Sequence, residues 1–139
     1  MRSLAARLAV VVGLLSSIAC GAKTPTEPAA PVYELKTETF AGTIAVAGKV
    51  PFKFAVVNPG DIQVAMTALT PTSTLVMGIA LGFWDGATGT CVEQLSTTAA
   101  TLNVGFAASP SSAGDYCVAL FDTGNLQATS DFTLTVTHY

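Results

Sequence analysis

Few side chains in this 139-residue sequence can do covalent, acid–base or metal chemistry: three cysteines (Cys20, Cys91 and Cys117), one histidine (His138) and nine acids. A thiol can serve as nucleophile, metal ligand, acyl acceptor or half of a disulfide, and its surroundings decide which. No C-x-x-C pair signals a redox couple, and the spacings that bring three or four ligands to a zinc ion do not occur. A Ser-His-Asp triad would have to be built around His138, next to the last residue, which we read as a surface residue at a strand end. Neither a G-x-S-x-G elbow nor a phosphate-binding glycine loop is present. No enzymatic activity is therefore expected.

Two further sets of residues could hold a ligand. Asp85, Asp115, Asp122, Asn125 and Asp131 offer oxygens in or beside turns, and calcium takes about six to eight such ligands. They are scattered, with no D-x-D-x-D run, and Asp and Asn occur in turns because they hydrogen-bond nearby backbone. No cofactor is expected, calcium being the one ion whose ligand chemistry is represented. Phe83, Trp84 and Asp85 end an apolar run beside a glycine-rich loop. Aromatic residues there either plug the end of a core or form a platform for a sugar or a protein.

The N-terminus places this chemistry in a compartment. Arg2 and Arg7 precede an uncharged run over 8–18, which has the length of a signal-peptide core and is short for a membrane span. An ordinary export signal is one reading. The segment also resembles a bacterial lipoprotein signal, since small residues lead to Ala19-Cys20 and a polar, proline-bearing stretch follows. The position three before the cysteine, aliphatic in that family, is Ser17. The resemblance implies cleavage after residue 19 and palmitate-type acylation of Cys20, several chains being needed for a stable anchor. It also implies outer-membrane placement, because Gly21 rather than Asp follows the cysteine. With Cys20 assigned to lipid, Cys91 and Cys117 remain for a disulfide, which persists in exported proteins. Both fall on the strand phase opposite the bulky residues, so an outer-face bridge is expected. A closed loop of about 27 residues is worth roughly 3–4 kcal/mol.

Cleavage would leave four lysines against nine acids, so the mature net charge is 4 − 9 = −5. Such a chain lacks the basic patch that nucleic acid requires and would be repelled by anionic headgroups. Its membrane contact is expected through lipid. Residues 20–37 carry Pro25, Pro28 and Pro31 and read as an extended tether. Eleven residues at about 3.1 Å each reach on the order of 30 Å.

The elements that must position these groups lie in 38–139. Charged residues are only 11% of the chain, against roughly 25% in average domains, and Thr, Val and aromatics favour pleated surfaces. Period-two alternation predicts strands over 38–46, over 49–56 with Phe52, Phe54 and Val56 on one face, and over 62–68 with Ile62, Val64, Met66 and Ala68. The run 75–84 reads as a central strand because Gly78 and Gly82 weigh against a helix. Shorter strands follow over 91–95 and 102–106. A closing pair has Tyr116, Val118 and Leu120 on one phase, then Phe132, Leu134 and Val136. Seven or eight short antiparallel strands between turn signals predict an all-β fold, a β-sandwich or jelly-roll.

Three stretches carry a further likeness: Gly42-Thr43 with Phe52-Lys53-Phe54; Pro59-Gly60-Asp61 with Ile62-Gln63-Val64; and 113–118, AGDYCV, with 132–136, FTLTV. In these the domain resembles the bacterial pre-peptidase C-terminal (PPC) domain and its stand-alone relatives on exported lipoproteins. That resemblance implies a β-sandwich accessory module without catalytic activity. The expected protein is thus a lipid-anchored envelope module with a binding or structural role. The alternative is an adhesion module that takes a glycan or an envelope protein through the Trp84 loop.

Overall fold

The computed structural model describes Ala29 and residues 32–139, and 32–139 form one unit. Within it the chain makes eight antiparallel strands and no helix: β1 (Lys36–Ile44), β2 (Lys49–Val56), β3 (Ile62–Thr70), β4 (Met77–Asp85), β5 (Thr90–Ala100), β6 (Phe106–Ala108), β7 (Gly114–Phe121) and β8 (Ser130–His138). Two four-stranded sheets, ordered β1-β8-β3-β6 and β2-β7-β4-β5, face each other as a β-sandwich.

Alternation in the sequence becomes the core directly. Phe54 and Val56 of β2, Ile62, Val64 and Met66 of β3, Ile79 and Leu81 of β4, and Phe132, Leu134 and Val136 of β8 all bury their side chains between the sheets. Because side chains alternate faces, the residues between them are directed away from the core. On the first sheet that outer face is largely threonine, with hydroxyl pairs Thr37–Thr137 at 3.2 Å and Thr67–Thr135 at 3.3 Å. Cross-strand threonine pairs of this kind each add a few tenths of a kcal/mol, up to about 1.

Several expectations need correction. The first strand begins at Lys36 and ends at Ile44, so it takes in two residues assigned to the tether. The alternation through 62–68 breaks at Thr67, where a bulge shifts register and buries Leu69 rather than Ala68. A bulge inserts one unpaired residue, and beyond it the faces exchange. The strand begun at Cys91 runs through Ala100, with two register shifts against β4. In place of a strand over 102–106, β6 starts at Phe106, and Leu102 and Val104 make only isolated bridges. The two closing strands are both formed, β7 in one sheet and β8 in the other.

Candidate functional site

The bridge between Cys91 and Cys117 is formed. It joins β5 to β7, which are not neighbours, since β4 runs between them. Their Cα atoms are nevertheless 5.6 Å apart, closer than two strand spacings of about 4.8 Å would allow in a flat sheet. The resolution lies at Gly82 of β4, where an added Cβ would stand 2.0 Å from the Val92 carbonyl oxygen. The Cys91–Glu93 end of β5 is laid over the outer face of the sheet, onto a position that only glycine leaves open. Glu93 reaches Lys49 on β2 in an ion pair. Beneath this cover Ala80, Cys117 and Ala119 have no exposure. Both cysteines do sit on the outer phase, as expected, but that face is roofed at Cys117.

Phe83 and Trp84 point to opposite sides of β4. Phe83 stays on the inner phase, in register with Tyr116, and their rings lie 5.0 Å apart. At the end of the sandwich it is 46% exposed. There it borders a cleft of about 260 Å³ together with Leu81, Leu95, Pro110 and Tyr116. Gln94 and Ser109 are the polar residues of its lining, the Ser109 hydroxyl donating to Asp61. The Tyr116 hydroxyl is spent on the Ser112 carbonyl at 2.9 Å, which fixes the ring as a wall. Trp84 is half-buried opposite Cys91 and does not line the cleft. Of the two aromatics only Phe83 borders the cleft, because adjacent residues on a strand face opposite ways.

Asp85 is committed to its own turn. One carboxylate oxygen accepts from Ala87 N at 2.8 Å, and the other from the Thr88 hydroxyl at 2.7 Å. These bonds, the Thr88 hydroxyl first, hold its carboxyl below the usual range. The other turn residues are similarly used. Asp115 pairs with Lys53 at 2.7 Å, Asp131 accepts from Thr43 at 2.7 Å, and Asn125 donates to the Val76 carbonyl at 2.7 Å. Asp122 accepts four backbone N–H groups, from Ala47, Gly124, Asn125 and Leu126. Among the described residues the five oxygen donors are not brought together, and no three His, Cys, Asp or Glu side chains form a cluster.

His138 is not at the surface. It is fully buried, its ring 5.2 Å from Phe54, with Nε2 bonded to Glu38 at 3.0 Å. The signal was present: Phe132, Leu134 and Val136 define the inward phase of β8, and position 138 continues it. Cys20 and the proposed signal segment lie outside the described residues.

No family model matches this chain, and no curated protein matches it either. The chemistry on view is therefore that of the described residues alone: a disulfide-clamped sheet, a half-open aromatic cleft, and acids engaged in structural bonds.

Proposed function

We propose that this chain is a non-catalytic module of the bacterial cell envelope, related to the pre-peptidase C-terminal domains and held at the outer membrane by acyl chains on Cys20. The observation that carries this reading is the Cys91–Cys117 bridge. A disulfide supports an exported, oxidising location. It also takes up the two domain thiols, so that Cys20, after a charged and then apolar leader, is the one left for acylation. Over 32–139 three lysines stand against eight acids, a balance of 3 − 8 = −5 that favours an anchor of lipid over one of charge and gives nucleic acid no basic surface.

Intact-mass spectrometry of the membrane fraction tests it. The expected species starts at Cys20, carries acyl mass, and gains two hydrogens on reduction of the bridge. A chain beginning at Gly21 or later without acyl mass would end the anchor reading.

A second reading, adhesion to a glycan or an envelope protein, is favoured by the half-exposed Phe83 over its cleft. It assigns the contact to Phe83 rather than Trp84. Phe83→Ala is expected to lose binding to isolated envelope material while Trp84→Ala keeps it. Equal binding by both variants and the wild type would remove the cleft from consideration.

A further inference from the structure

Each sheet of an open sandwich has two edge strands, and here they are β1, β6, β2 and β5. An edge exposes a row of unpaired N–H and C=O groups, and soluble domains blunt it with proline, lysine, bulges or a short strand. Three of the four are blunted in this way. β2 carries Pro51 between Lys49 and Lys53. β6 is three residues long. β5 is bulged twice and clamped by the disulfide. The fourth edge, β1, carries a single lysine, Lys36, at its first residue; the strand runs nine residues against β8 without a register shift and contains no proline. Alternate backbone groups along it turn away from β8, and among the described residues no backbone hydrogen bond reaches them. Leading into β1, Val32, Tyr33 and Leu35 are 91%, 46% and 60% exposed.

We propose that this edge pairs antiparallel with β1 of a second copy of the chain, extending the β1-β8-β3-β6 sheet across a two-fold axis at Thr37. The register follows from charge. A two-fold perpendicular to the sheet keeps inner faces on one side, so residue i meets a residue of the same parity. Centring on Lys36 or on Glu38 would oppose like charges, which is destabilising. Centring on Thr37 sets Lys36, paired within its own chain to Glu38, against Glu38 of the other copy, twice, so that each carboxylate faces both lysines. It also sets Leu35 against Thr39 and Tyr33 against Ala41, which covers the exposed side chains of the lead-in. The rest of the surface carries excess acid, so two copies would otherwise repel; β1 is where opposite charges alternate. Main-chain bonds then supply affinity, as in strand addition generally.

Cysteine substitution in the full chain, expressed and kept in its membrane, reads the register. At Thr37 the two copies would stand about 4.5–5.5 Å apart between Cα atoms, within the span of a disulfide. At Thr43 they would be about 40 Å apart, twelve residues at roughly 3.4 Å each. Thr37→Cys is expected to give an oxidised two-chain band on a non-reducing gel that the wild type, run alongside, lacks, and Thr43→Cys none. Native mass spectrometry of the unmodified chain released from detergent is expected to show two chains, and Lys36→Glu, which places acid against Glu38 of the other copy, only one. Equal cross-linking at both positions, a single-chain wild type, or capture by Thr37→Cys of a different protein and not of its own copy would each overturn the proposal.

Discussion

His138 Nε2 donates to Glu38 Oε1 across 3.0 Å, joining the last strand to the first over a sequence separation of 100 residues. The imidazole has no exposure, and its Nδ1 lies 3.2 Å from the Tyr139 carbonyl oxygen. Lys36 reaches the same Glu38 oxygen at 2.7 Å. Burial opposes charge on Glu38, but hydrogen bonds and attraction from Lys36 and His138 outweigh it and hold its carboxyl below 4.5.

A stability profile against pH follows. Since the folded carboxyl is the stronger acid, its contribution is complete above pH 4.5 and is lost as pH falls through the folded value. Glu38→Gln is expected to cost about 1–2 kcal/mol at pH 7 and to flatten the acid limb of the profile. Urea denaturation at pH 7 and pH 3 checks this; equal losses at both pH values would refute the assignment.

Reduction of the Cys91–Cys117 bridge, or alanine at both positions, removes a constraint on a loop with a separation of 26 residues. The expected loss is about 3–4 kcal/mol, or roughly 10–20 °C in Tm for a domain of about 100 residues. Calorimetry with and without reductant measures it. A shift of only a degree or two would mean that β5 stays on the sheet without the bond.

Glycine substitutions separate the roofed face from the open turn. An added methyl at Gly82 meets the Val92 carbonyl oxygen at 2.0 Å, whereas at Gly86 nothing lies within 4 Å. Gly82→Ala should therefore lift the Cys91–Glu93 segment, at a cost of about 3 kcal/mol or more, and raise free-thiol reactivity. Gly86→Ala should change stability by less than about 0.5 kcal/mol. A thiol assay and thermal melt on both variants decide it.

Asp122 ties together two connections distant in sequence: its Oδ2 accepts from Ala47 in the β1–β2 turn at 2.8 Å, while Oδ1 takes the amides of 124–126 at 2.9–3.1 Å. The Ala47 amide is the first cause holding this carboxyl below its ordinary value. Asp122→Ala leaves those amides without their acceptor and should cost about 2 kcal/mol. Amide hydrogen exchange is expected to rise at both connections together. Acceleration confined to 124–126 would show that the two turns are not coupled through this carboxylate.

Much of the architecture was legible because a strand has a period of two. Phe52, Phe54 and Val56, or Phe132, Leu134 and Val136, announce both a strand and its buried face; His138 continues the second alternation and is buried, although its polarity and terminal position read as surface. Turn residues such as Asp85-Gly86 bounded the strands, and the count of cysteines outside the leader led to the bridge. The period says nothing of which strand lies beside which. That β1 pairs with β8, that β7 and β8 part into different sheets, and that β5 folds over Gly82 were decided by contacts between residues far apart in sequence. The cleft beside Phe83 exists only where β4, β5, the segment after β6, and β7 converge. Local patterns assign each side chain to a face; only the packing of whole sheets turns a face into a core, a roof, a cleft or an open edge.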